Sequence, residues 1–256
     1  MTIEDQRHKV CQWLQRTDPS STHYGAQKNY EPETGNWLLR SPDWKKWVEA
    51  EHQSLWIHGI PGAGKTVLIS HLIEQVKNHC EKSTKKAVYV YYYCHFSHNQ
   101  DETTPFLRWV LNQLCRQANF VPTSVYDMYQ YGGEPSIINL LKGLEDVLEV
   151  FEVAYIIVDA LDESKPRDDL LRVLRDFVTD SRFRKIQLLA SSREYIDIEA
   201  TMAAFSVPVS MNNPFVEKDI KLHVRSSLQR NQKFKRWPKD LLGEVEVALS
   251  RGAKGM

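Results

Sequence analysis

Gly59-Ile60-Pro61-Gly62-Ala63-Gly64-Lys65-Thr66, residues 59–66, is the stretch on which the reading of this chain turns. A glycine, four residues, then Gly-Lys-Thr is the spacing of a P-loop. Each residue type has a physical task. The glycines let the backbone turn tightly and approach phosphate oxygens closely. Pro61 pre-sets one dihedral and stiffens the loop. The loop N–H groups and the start of the next helix form an anion nest. Lys65 is placed to reach the β- and γ-phosphates, and the Thr66 hydroxyl to ligate Mg2+. The run Gly59, Ile60, Pro61, Gly62, Ala63, Gly64, Lys65, Thr66 and Val67 is therefore the candidate nucleotide-binding segment. Its surroundings fit. An apolar strand enters at Ser54–His58, and helical periodicity leaves, with Val67, Leu68, His71, Leu72 and Val76 near one face.

Two further segments extend the site. Ala154-Tyr155-Ile156-Ile157-Val158-Asp159 is a buried apolar strand that ends in an acid, followed by Ala160-Leu161-Asp162-Glu163. An acid at such a strand end can hold Mg2+, usually through water. Asp162 or Glu163 can orient or polarise an attacking water. Leu188-Leu189-Ala190-Ser191-Ser192-Arg193 is a strand that ends in two hydroxyls and an arginine. If it lies between the other two strands, its tip points at the γ-phosphate, and Arg193 can sense that group through a charge-assisted fork. The alternative is a surface arginine paired with Glu194.

The rest of the chain alternates strands with helices. Strands are expected at 87–94, 154–159, 186–191 and 205–209. Helices are expected at 65–80, 105–118, 136–150, 167–179, 217–229 and 239–249. That order implies a parallel sheet covered on both faces, an α/β class. Residues 3–16 read as a short helix and 18–34 as irregular. Trp37, Leu38, Trp44, Trp47 and Val48 then present aromatic surface that must dock. Gly35-Asn36-Trp37 reads either as such docking or as a contact to the nucleotide base, with Trp37 buried in both cases. Residues 1–50 are thus an N-terminal segment packed on a core at 51–210, and 211–256 are the start of a helical segment.

Bulk properties narrow the class. Lys plus Arg and Asp plus Glu both number 33, so no global field draws the chain to nucleic acid or an anionic membrane. The polar start MTIEDQRHKV has no leader character, and the longest apolar runs have strand length, not membrane-span length. The four cysteines form no CxxC pair, which favours a reducing, cytoplasmic setting. Cys94, His95 and His98, with His79 and Cys80, fit no common zinc spacing and read as loop residues near the nucleotide. The basic, aromatic stretch from Arg225 to Lys239 reads as a solvated connection between helices whose aromatics pack inward.

Taken together, GIPGAGKT at 59–66, AYIIVDALDES at 154–164 and LLASSRE at 188–194 resemble the NACHT family of signal-transducing P-loop NTPases (the STAND class), fungal members most of all. The segments at 31–47 and 212–220 look like their counterparts there, so the resemblance runs from about residue 30 to the end. It implies a P-loop NTPase three-layer sandwich: a parallel five-stranded sheet with the sensor strand between the P-loop and acid strands, plus a C-terminal helical segment. It implies phosphate and metal roles for Lys65 and Thr66, metal binding by Asp159, water activation by Asp162 or Glu163, and sensing by Arg193. It also implies a slow ATPase or GTPase switch that self-associates, joined to effector and repeat domains that this sequence lacks. Its helical segment is cut short against that pattern. A conventional ATPase or kinase, or a nucleotide-binding interaction module without turnover, are the alternatives.

Overall fold

The computed structural model describes residues 3–98, 100–234 and 236–253. Its centre is a five-stranded, all-parallel sheet: β1 (Ser54–His58), β2 (Ala87–Tyr93), β3 (Val153–Asp159), β4 (Ile186–Ser192) and β5 (Val207–Ser210), in the order β2-β3-β4-β1-β5. Strand β4, which ends at the candidate sensor Arg193, therefore lies between β1 and β3. His58 sits opposite Ser192, and Val158 opposite Ala190. The ends of β1, β3 and β4 that lead to the candidate site residues thus share one edge of the sheet, the edge where open parallel sheets bind ligands.

Strand parity builds two cores, because successive side chains point to opposite faces. Trp56, Val88, Val90, Ile156, Val158, Leu188 and Ala190 face one side. There they meet α1 (Ile3–Leu14), α6 (Thr103–Ala118), α7 (Thr123–Tyr131), α8 (Ile137–Leu148), α9 (Asp168–Thr179) and α10 (Ile196–Met202). Leu55, Ile57, Tyr155, Ile157, Leu189 and Val209 face the other. That side is covered by α3 (Asn36–Leu39), α4 (Pro42–Val48) and α5 (Lys65–Lys82). Strands covered on both faces can be apolar throughout, and β3 and β4 are buried at every position.

The N-terminal residues dock as expected. Ser41 caps α4, its hydroxyl accepting the Trp44 N–H, and Pro42 occupies the first turn, where no N–H is needed. Trp47 Nε1 then donates to the Leu188 carbonyl at 2.9 Å, and Tyr155 Oη donates to Val48 O at 2.7 Å. The edge strand β2 is protected by side chains of α6. Trp109 Nε1 and Gln117 Nε2 donate to the Tyr91 and Tyr89 carbonyls, which blunts an otherwise open edge.

Several segments differ from the sequence expectation: helices α3, α4, α7 and α10 stand where none was assigned, and residues 18–34 are not irregular throughout. Residues 20–28 are a helix, α2 (Ser20–Lys28), not irregular. Its composition is poor for a helix, but His23 and Ala26 are buried. His23 stacks on Tyr91 and hydrogen-bonds with Tyr93 Oη at 3.0 Å and Glu74 Oε1 at 3.1 Å, so tertiary contact overrides propensity. The helix α7, unassigned by periodicity, buries only Val125 and Met128, too few to make a stripe.

Gly143, inside α8, is the contact point for α7 and α6. A Cβ there would lie 2.7 Å from Val125 Cγ2 and 3.2 Å from Leu111 Cδ2. Alanine would gain about 1 kcal/mol of helix propensity, but overpacking costs about 1–3 kcal/mol. Gly143→Ala is expected to lower the denaturant midpoint, and a higher midpoint would mean that α7 moves aside at no net cost.

Candidate functional site

The loop after β1 is shaped by two glycines for different reasons. Gly64 has φ +82°, left-handed backbone that suits glycine, and immediately precedes α5. Gly59 is pressed against the segment after β5: a Cβ on it would lie 2.7 Å from Met211 Cβ, and the Met211 N–H donates to His58 O at 2.8 Å. The loop is thus clamped before any ligand binds.

Residues 61–67 line a cavity of about 250 Å3 together with Asp159, Asp162, Glu163, Ser191 and Arg193. Sequence reasoning named every one of these except Ser191 as a functional residue. Gly59 and Ile60 do not line the cavity. Their carbonyls instead accept from Lys65 Nζ, at 2.8 and 2.9 Å, so the lysine curls back over its own loop. Burial lowers the Lys65 pKa, and the charges of Asp162 and Asp159 oppose that shift.

Asp159 is 1% exposed. Its carboxylate accepts a hydrogen bond from the Ser191 hydroxyl, and the nearby Thr66 hydroxyl also favours its charged form, so β3, β4 and α5 meet around one group. Burial raises its pKa, and those two hydroxyls and Lys65 only partly offset the shift. Asp162 is also buried. It accepts the Arg193 N–H on Oδ1 at 2.9 Å, and Arg193 Nε lies 3.2 Å from Oδ2. The alternative partner of the arginine, Glu194, pairs instead with His58 Nδ1 at 2.8 Å. Glu163 is half-buried at the cavity wall.

A second cavity, about 450 Å3, also borders Gly62–Gly64 and Val67 and extends to Tyr30, Trp37, Asp219 and His223. Trp37 is half-buried, not buried: it lines this cavity and stacks against Phe215. Asp219, on α11 (Pro214–Arg230), accepts from Gly35 N at 2.7 Å and Trp37 Nε1 at 3.1 Å. No local motif marks Tyr30, Asp219 or His223, and only chain folding brings them to the P-loop.

The weaker signals resolve simply. His98 Nδ1 lies 2.6 Å from the fully buried Glu102, and burial pushes the Cys94 thiol up. Among the described residues no three His, Cys, Asp or Glu side chains are grouped to hold a metal. Arg225 forks onto Glu246 and Arg230 pairs with Glu31, but Trp237, which packs edge-on against Phe234, is exposed, so the aromatics of this stretch pack on each other and not inward as expected. Lys235 falls outside the described residues. Among the described residues no helix is long and apolar enough to cross a membrane.

Residues 33–193, which hold the whole phosphate cavity, match the family described as Nephrocystin 3, N-terminal. The chain belongs to this family. The chain is also similar to the vegetative incompatibility protein HET-E-1 of Podospora anserina, with 24% identity over 234 residues, 86% of this chain and 17% of that protein. The chain thus spans about a sixth of the length of that curated relative. The fold is shared with the ORC1 protein of Aeropyrum pernix, solved in complex with DNA, at TM-score 0.52 and 12% identity over 87% of this chain and 61% of that one. This member of the nephrocystin-3 N-terminal family is a NACHT-like P-loop NTPase domain with a parallel five-stranded sheet.

The raised Asp159 pKa has a measurable consequence. Its folded pKa exceeds the unfolded one, so the ionised group opposes folding increasingly as pH rises from the unfolded value through the folded one. Without nucleotide and metal, Asp159→Asn is expected to raise Tm, by about 2–4 °C for each kcal/mol relieved. The gain should shrink toward acid pH. A lower Tm at neutral pH would show that the carboxylate is a net stabiliser.

Proposed function

We propose that this chain is a nucleotide-dependent switch that binds and slowly hydrolyses ATP or GTP with Mg2+. The observation that carries the reading is the convergence of residues 61–67, Asp159, Glu163 and Arg193 on one cavity at the sheet edge. In this reading the 250 Å3 cavity receives the phosphates and the 450 Å3 cavity the nucleoside, with Tyr30, Trp37, Asp219 and His223 around the base. The two are joined through Gly62–Gly64 and Val67.

The donor set fits a hard cation. A buried carboxylate, Asp159, adjoins two hydroxyls, Thr66 and Ser191, and Mg2+ prefers oxygen ligands while keeping several waters. Thr66 and Asp159 would hold the ion, which supplies positive charge to the phosphate oxygens. The protein residues do the rest. Loop N–H groups and Lys65 bind the phosphates. Lys65 leaves the Gly59 and Ile60 carbonyls to do so. Glu163 orients the attacking water and takes up its proton. It is preferred to Asp162, whose carboxylate is committed to Arg193. Arg193 reads the γ-phosphate.

The output of such a switch is a change of arrangement between the core at 51–210 and the helical segment at 211–256, coupled to self-association and signalling. The bonds from Asp219 to Gly35 and Trp37 support this division, because they join α11 to the chain beside the nucleoside cavity. Self-association, effector and repeat domains, and the cytoplasmic setting belong to this reading through the NACHT resemblance.

Two substitutions test it. Lys65→Ala should lose triphosphate binding while the circular dichroism spectrum is retained. Glu163→Gln should keep triphosphate binding and slow hydrolysis about 100-fold or more. Unchanged affinity in the first variant would remove the phosphate assignment. Unchanged turnover in the second would move the base elsewhere. The nucleotide released on denaturing the purified protein identifies the base.

A further inference from the structure

Both cations at the phosphate cavity are already bonded within the protein. Lys65 holds two carbonyls of its own loop. Arg193 holds Asp162, through its main-chain N–H on Oδ1 and its Nε beside Oδ2. The two partners differ in freedom. The Asp162 side chain is 4% exposed and that of Arg193 is 42% exposed. The acid is also anchored through its backbone: Arg167 Nη1 donates to Asp162 O at 3.1 Å, while the same guanidinium forks onto Asp197. A ligand that attracts the arginine can therefore draw it off, but Asp162 cannot follow. The neighbouring acid, Glu194, is engaged with His58.

We infer that Asp162 sets the discrimination between nucleoside triphosphate and diphosphate, by competing with the γ-phosphate for the Arg193 guanidinium. The inference rests on the nucleotide reading above. A diphosphate leaves the Arg193–Asp162 pair intact and bears no cost. A triphosphate gains a charge-assisted contact to Arg193 but breaks that pair and leaves a buried carboxylate oxygen without its cation. Asp162 thus works against the triphosphate state and holds the site toward the diphosphate. The acid acts through the arginine, so its effect on specificity needs no contact of its own with the nucleotide.

The experiment is a double-mutant cycle on the full chain. Dissociation constants for a nucleoside diphosphate and a non-hydrolysable triphosphate, both with Mg2+, are measured in wild type, Asp162→Asn, Arg193→Ala and the double variant. Asparagine keeps an acceptor for the Arg193 N–H and removes only the charge. Asp162→Asn is expected to raise the preference for triphosphate about two- to fivefold, the range for a partly exposed ion pair. Arg193→Ala should abolish most of the preference, and adding Asp162→Asn to it should change nothing further. Should Asp162→Asn fail to fold, Arg193→Lys keeps the charge without the Nε contact, and the triphosphate preference should then be equal to or above that of wild type. Three results would overturn the inference: no change in Asp162→Asn, a drop in Arg193→Lys, or an equal gain with and without Arg193. The last would mean plain repulsion between Asp162 and the phosphates. Wild type that binds neither nucleotide would instead sink the nucleotide reading itself.

Discussion

The carboxylate of Asp159 is the group around which this molecule is arranged. It is buried at the end of β3, where two hydroxyls reach it: Ser191 from β4 and Thr66 from the first turn of α5. That meeting requires β4 to lie beside β3 and the loop after β1 to overhang both. The strand order β2-β3-β4-β1-β5 supplies both conditions. A buried ionised acid is unfavourable unless it is hydrogen-bonded or paired. Here the hydrogen bonds offset only part of that penalty. Lys65 also favours the charged form of the acid, and burial lowers its own pKa.

The same economy of charge runs through the rest of the cavity. Lys65 and Arg193 are each satisfied internally, by carbonyls in one case and by Asp162 in the other. Such a site is preorganised in its backbone and reconfigurable in its cations. The backbone part is stiff: Gly59 is wedged against Met211, and Gly64 holds a left-handed turn that most side chains disfavour. In the proposed reading, a phosphate chain exchanges the carbonyl partners of Lys65 and the one ion pair of Arg193 and leaves the loop as it stands.

On the nucleoside side the arrangement is looser. Tyr30 stacks on His71, and Asp219 ties α11 to Gly35 and Trp37. Trp37 lines the cavity and stacks against Phe215. These contacts come from the N-terminal segment and from α11, at opposite ends of the P-loop core. Whatever fills that cavity touches both, which makes it the natural place for ligand binding to be felt by the helices that follow the sheet.

Much of this was readable from the residues alone, and the reason is local. The spacing in 59–66 needs only one loop to be recognised. Apolar runs such as Ala154–Val158 point to a strand covered on both faces, because their short length and their β-branched and aromatic residues favour a strand over a buried helix. The position of β4 between β1 and β3 followed from resemblance and not from any residue pattern. Its hydrogen-bonded register is a tertiary fact. What the sequence could not contain was partner choice over distance. Arg193 sits next to Glu194 in the chain, yet it bonds to Asp162, because the end of β4 lies against the loop after β3. Residues 20–28 lack a helical stripe, yet they form α2, because His23 finds Tyr91, Tyr93 and Glu74. The sequence by itself determined which residues are candidates for phosphate chemistry, since each is marked by its own type and its immediate neighbours. Only the tertiary structure decided which acid holds Arg193 and what walls the larger cavity beside the P-loop, since both depend on which segments the sheet brings side by side.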